Sequence, residues 1–294
     1  MRLVYTADLH GNLQSYMQLL ALAGQVGARA AVVGGDLFPH AIRSAQAAEL
    51  QRRFLHEQLR PLLFTIRAAH PDLAVFLLPG NDDWALAAED VAILQREQLA
   101  YALHERVYDL MALGLSAAPL WLAGYACVPL TPFSIKDYER RDDGPLPPYS
   151  FELAYTSWSG QVEKTSAQAI AALPSIAEAL ALLAAQSAPA QTVYVCHTPP
   201  HDTPLDAMPR GRHPGSRALR TFIETHQPLL TLHGHIHEAP QISGQYAMRL
   251  GNTWSANPGH DPHYFSAITL DTNDIGTTIE HTVFGGNQQP AADS

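Results

Sequence analysis

The chain has 294 residues, 47% of them hydrophobic, and a formal charge of −10. That length can bury a sizeable core and allows two domains without requiring them, and we expect one domain over residues 1–294. The negative balance argues against extended contact with a nucleic-acid backbone, which clustered Lys and Arg usually make. No stretch reads as the roughly 18 apolar residues of a membrane span. Met1 leads straight into an apolar run, with no cationic and apolar leader, so a cytoplasmic location is expected.

The first apolar run, Arg2 to Ala7, reads as a strand and stops at Asp8-Leu9-His10-Gly11-Asn12. Asn12 is an N-cap for a helix over Leu13 to Leu22. A second strand, Ala28 to Val33, stops at Gly34-Gly35-Asp36. A helix over Ala41 to Ala69 follows, kinked or broken at Pro61. The third strand, Leu73 to Leu78, stops at Pro79-Gly80-Asn81. An insert then runs from about Tyr101 to Pro189 and is expected to cap the site. It holds a strand at Leu120 to Val128, an extended loop at Pro129 to Phe133 and a dense charge run from Ser134 to Asp142. That run reads either as a solvated loop or as a cap in which Arg140 or Arg141 grips a phosphate. Tyr155 and Trp158 either pack or stack on a base. An apolar helix over Ala167 to Ala188 is broken at Pro174-Ser175.

The fourth strand, Thr192 to Cys196, stops at His197. Gly215-Ser216-Arg217 opens a further helix, as an ordinary cap or as backbone N–H groups for an anion. The fifth strand, Pro228 to Leu232, stops at His233-Gly234-His235-Ile236-His237. Short strands follow at Tyr246 to Leu250, Tyr264 to Leu270 and Thr277 to Phe284, the last two joined by a turn at Thr272-Asn273-Asp274. Periodicity alone also allows the buried runs to be short helices. Read as strands, they make an α/β protein of β-α-β units and a meander, a two-sheet β-sandwich flanked by helices. Cys127 and Cys196 sit in apolar runs and read as core thiols.

Polar residues at the carboxyl ends of buried strands gather on one edge of a sheet. Asp8, His10, Asp36, Asn81, His197, His235 and His237 are of that kind. Two carboxylates, four imidazoles and an amide oxygen, without thiolate, suit borderline divalent ions (Mn, Fe, Ni or Zn). Seven ligands exceed the needs of one ion, so two ions sharing a carboxylate is the simpler count. Ions roughly 3.5–4 Å apart can polarise a phosphoryl oxygen and lower the pKa of a bound water, which points to phosphoester hydrolysis.

The order D-x-H, G-D, G-N, H and G-H-x-H resembles the calcineurin-like metallophosphoesterases, in particular their small prokaryotic phosphodiesterases. Asn257-Pro258-Gly259 resembles a turn of the same group. The resemblance implies that fold and a binuclear centre. Asp8, His10, Asp36 and His237 would hold one metal, and Asp36, Asn81, His197 and His235 the other. It also implies catalytic roles for Asn81, Asp82 and His197 and a small-molecule phosphoester as substrate. A nuclease or a non-catalytic metal-binding scaffold are the alternatives. The chain departs from the pattern at Asp82, where many members carry a His that meets the leaving group. Beside cations Asp82 is expected to be ionised. Then the leaving group needs little help, the substrate is a diester with a good leaving group, or another residue helps, with His201 and His213 as candidates by chain proximity.

Overall fold

The fold is seen in a computed structural model that describes residues 1–40, 45–146 and 151–286. Strands β1 (Arg2–Thr6), β2 (Ala30–Gly34), β3 (Ala74–Leu78) and β4 (Tyr101–Ala102) run parallel, and β1 to β3 are joined by helices. Strands β5 (Arg106–Asp109), β6 (Trp121–Tyr125), β7 (Thr192–Cys196), β8 (Leu230–Leu232), β9 (Ala247–Leu250) and β10 (Thr253–Ala256) form a six-stranded sheet in the order β9-β10-β8-β7-β6-β5. Strands β11 (Ile268–Asp271), β12 (Glu280–His281) and β13 (Gly285–Gly286) then return to the first sheet, which has seven strands ordered β13-β12-β11-β1-β2-β3-β4. This mixed α/β architecture is the two-sheet arrangement expected from the sequence.

Every residue of β2, β3 and β7 is buried, as in parallel sheets covered on both faces. Residues of both sheets join one contiguous core. Register aligns the carboxyl ends: Thr6 pairs with Val33, Gly34 with Leu78, and Val195 with Leu232. The loops that follow these strands therefore open together.

Local chemistry explains most boundaries. Asn12 caps helix Leu13–Gln25 by accepting from the Ser15 N–H, and Ser175 with Glu178 forms a capping box that starts helix Ile176–Ala184. That box ends any continuous helix through Ala167–Ala184, a stretch that is long and apolar enough for a span after all. The segment folds as Ala167–Ala171 and Ile176–Ala184, the latter burying Ile176, Leu180 and Leu183. Pro61 does not break its helix. Residues 45–69 continue through a π turn at Leu55–Leu59, where the Arg60 N–H reaches back to the Leu55 carbonyl. This wider turn accommodates the ring and the missing N–H of Pro61. The first four residues of that expected helix, 41–44, lie outside the described residues.

The C-terminal region differs more. Thr253–Ala256 is an additional strand, and the expected strand Thr277 to Phe284 is entered through a short helix, Ile275–Thr278, and keeps only Glu280–His281 as β12, paired with β11. The Thr278 hydroxyl bonds to the Asp271 N–H, a local competition that favours the turn over the ladder.

Candidate metal centre

Four of the seven expected ligands leave a strand end in a conformation that few residues adopt. Asp8, His10, Asp36 and His235 have φ of 59°, 44°, 50° and 63°, left-handed values that cost side-chain-bearing residues stability and mark functional sites. Two glycines make the close approach possible. A Cβ on Gly35, at φ +128°, would lie 1.9 Å from His197 Nδ1, and one on Gly80 would lie 2.2 Å from Asp36 Oδ1.

The side chains converge. Asp8, His10, Asp36 and His237 each bring a ligand atom within 4.8 Å of the others, and His10 Nε2 faces His237 Nε2 at 3.4 Å. Beyond Asp36, His197 Nε2 lies 3.5 Å from Asp36 Oδ2 and 3.2 Å from Asn81 Oδ1. The His197 and His235 rings are 5.3 Å apart. The Nδ1 of His197 is 2.9 Å from the Gly34 carbonyl, so its N–H is directed there and Nε2 is left to face the carboxylates. All seven expected residues thus meet, drawn from both sheets.

Electrostatics follow from that meeting. Burial alone would raise the carboxyls of Asp8 and Asp36, but His237 outweighs it at Asp8 and His197 at Asp36, holding both below the usual carboxylate range. Burial opposes protonation of His197 and His237, yet Asp36 and Asp8 respectively push them up to about 9. His235, buried beside His197, is pushed down to about 3. Ionised carboxylates and imidazoles that can release protons are the donor set of a divalent cation.

Two residues fix the loops. Asp83, fully buried, accepts from the N–H groups of Leu37, Phe38 and Gly80 at 2.9, 3.0 and 2.9 Å. It thereby ties the loop of Asp36 to that of Asn81. Asn257, in the expected Asn-Pro-Gly turn, donates to the carbonyls of Gly234 and Ile236 at 3.3 and 3.2 Å and braces the His235–His237 loop.

Asp82 faces the centre, 3.8 Å from His10 Nδ1 and 2.7 Å from His40 Nδ1. The protein's own groups push it away from the ionised state expected beside cations: burial first, then Asp36, raise its pKa, while His40 and His10 oppose. His40 and His260 were missed in the sequence. His40 lies four residues after Asp36, and His260 follows Asn257-Pro258-Gly259, with its ring 5.2 Å from that of His237. Their nearness to known motifs was the available signal.

The remaining expected residues lie elsewhere. The centre of the charge run is buried rather than solvated, with Lys136, Asp137, Glu139 and Arg140 inside and Arg141 and Asp142 partly exposed. The Arg140 guanidinium donates to the carbonyls of Asp137 and Glu139, and that of Arg141 to the Ala171 carbonyl. Neither lines the cavity over the centre; backbone carbonyls away from it engage both. Gly215-Ser216-Arg217 does present N–H groups to an anion, namely Asp142, which takes Arg217 N and Ala218 N at 2.7 and 3.0 Å. His213 Nδ1 lies 2.7 Å from buried Asp206, and His201 Nδ1 3.9 Å. The Trp158 Nε1 donates to the Asp137 carbonyl and its ring packs on Tyr138, while Tyr155 pairs in a two-residue ladder with Lys164. Cys127 and Cys196 are free and buried in the core.

Residues 1–239 match the calcineurin-like phosphoesterases, and the chain belongs to that family. It is by class a metal-dependent phosphoesterase. TT1561 of Thermus thermophilus superposes with a TM-score of 0.57 over 96% of this chain and 98% of its own, at 20% identity. A dimetal phosphatase from Danio rerio does so with a TM-score of 0.51 over 92% and 91%, at 14% identity. At such identities the likeness is one of fold. No curated protein matches the sequence.

Proposed function

We propose that the chain hydrolyses a phosphodiester or phosphomonoester of a small or nucleotide-like substrate, using two divalent ions (Mn, Fe, Ni or Zn). The observation that carries this reading is the convergence of Asp8, His10, Asp36, Asn81, His197, His235 and His237 at the carboxyl ends of β1, β2, β3, β7 and β8. The donor set fits cations, since His10 Nε2 and His237 Nε2 face each other and imidazole nitrogens at that distance are well served by a shared positive charge. When bound, the ions supply Lewis acidity toward a phosphoryl oxygen and lower the pKa of a water.

The protein's part is to hold and orient. Asp36 stands between the two ligand groups and serves both. The Gly34 carbonyl sets the tautomer of His197, and Asp83 locks the Asp36 and Asn81 loops in register. Asp82 orients His40, which lines the cavity and offers the substrate an imidazole that many relatives carry at the position of Asp82. His40 donates a hydrogen bond to the phosphoryl or leaving oxygen. The cavity, and the engagement of the Arg140 guanidinium inside the protein, favour a small substrate over a nucleic-acid backbone.

Chelator-stripped protein, reloaded with Mn, Ni, Fe, Zn or Mg, is assayed on an aryl phosphodiester and the matching monoester beside Asp36→Asn. Metal-dependent turnover absent from the variant is expected, and the ester ratio narrows the substrate. Two ions per chain without turnover on either ester would instead favour a binding protein.

A further inference from the structure

The candidate centre forms the floor of a cavity of about 640 Å³, within the size range of small-molecule sites. A phosphoryl group on that floor leaves most of the space above it to the rest of the substrate. The wall there is mostly apolar: Leu130, Pro132 and Phe133 from the insert, Met208 and Pro214 from the segment after β7, and Ile236 between the paired histidines, with Arg212 and Glu238 as charged neighbours. Phe133 is 54% exposed, a large aromatic surface left open where it lines the cavity.

That wall is pre-built. Glu139 accepts from the Thr131 N–H at 2.9 Å and from its hydroxyl, while Lys136 Nζ donates to the Thr131 carbonyl at 2.8 Å and to Glu139 at 2.7 Å. The Lys136 and Glu139 side chains are 2% and 0% exposed. The Phe133 N–H is fixed in turn by the Thr131 hydroxyl, at 3.1 Å. The buried charges thus brace the loop that carries Leu130, Pro132 and Phe133. A braced wall binds an apolar group without first paying to order itself.

We propose that this wall is a specificity subsite for an apolar substituent of the phosphoester, so that the substrate class is an ester bearing an alkyl or aryl group rather than a wholly polar one. This rests on the phosphoesterase reading, and the test separates the two. Full-length Mn-loaded protein is titrated calorimetrically with methyl-, butyl- and hexylphosphonate, and turnover is measured on methyl, butyl and hexyl 4-nitrophenyl phosphate. Each fully buried methylene is worth about fourfold, so affinity is expected to rise by more than about tenfold from methyl to hexyl, with a negative heat-capacity change. Phe133→Ala is expected to reduce that ratio by about threefold. Flat affinity across the series overturns the subsite, whether or not turnover is seen. Rising affinity without turnover supports the subsite and overturns the hydrolase.

Discussion

Replacing Asp83 by Asn tests the view that this carboxylate holds the loops of Asp36 and Asn81 together. Its oxygens divide the work, Oδ2 taking Leu37 N and Gly80 N and Oδ1 taking Phe38 N. All three partners are donors, which a carboxylate satisfies and which offer no acceptor to the O–H of a protonated carboxyl, although burial and then Asp36 push its pKa well above the usual range. Asn retains one acceptor oxygen for the Leu37–Gly80 pair and turns its NH₂ toward the Phe38 N–H. One charge-assisted bond worth about 1.5–3 kcal/mol is lost, and a buried donor costing about 1–3 kcal/mol is left without a partner. Removing a buried charge near Asp36 offsets part of this, so we expect about 2–4 kcal/mol of destabilisation. Urea unfolding of metal-free protein at neutral pH measures it. With an m value near 3 kcal/mol/M the midpoint falls by about 1 M. Added metal should restore part of the difference, because it ties the same loops. A midpoint within about 0.2 M of wild type, and unchanged metal affinity, would refute the reasoning.

His40→Ala removes the exposed imidazole held by Asp82 and is expected to lower kcat/KM by about 10- to 100-fold. Equal loss of metal content would show that it acts on the ions instead. His104 is 15% exposed in its side chain, accepts the Ala126 N–H, and is pushed down to about 3 by burial and then Arg140. Its neutral form is favoured on folding, so the stability it contributes is present above pH 6.5 and is lost as pH falls toward 3. His104→Asn keeps the acceptor and removes the titration, so between about pH 7.5 and 5 the variant should lose about 2 kcal/mol less than wild type in paired urea melts. Parallel losses would contradict the assignment. Asp142→Ala strips the helix N-terminus at Ser216 of its anion and should cost about 1–2 kcal/mol in thermal or urea unfolding, with kcat unchanged.

Much of the centre was legible because its signals are local. A buried parallel strand shows as a continuous apolar run, and the ligand loop after it shows as Gly with Asp, Asn or His. The chain order of these pairs needed no tertiary knowledge, and neither did the Asn12 cap or the break at Pro174-Ser175. What stayed illegible depends on approach between distant segments. Nothing near Ser134 to Asp142 says that its charges are inside; Lys136 and Glu139 satisfy one another, and Asp137 is satisfied by Ala85, Thr156 and Ser157.

The sequence by itself determined the strands that carry the ligands, the family and the identity of the side chains that could hold metal, because hydrophobic periodicity and glycine punctuation are written residue by residue. Only the tertiary structure decided which of the remaining polar groups face the centre. His40 reached it by pairing with Asp82, whereas Arg140 and Arg141 found carbonyl partners elsewhere and Asp142 became a helix cap. The physical reason is that a charge goes where its desolvation is best compensated, and the compensating groups belong to segments that only folding brings near.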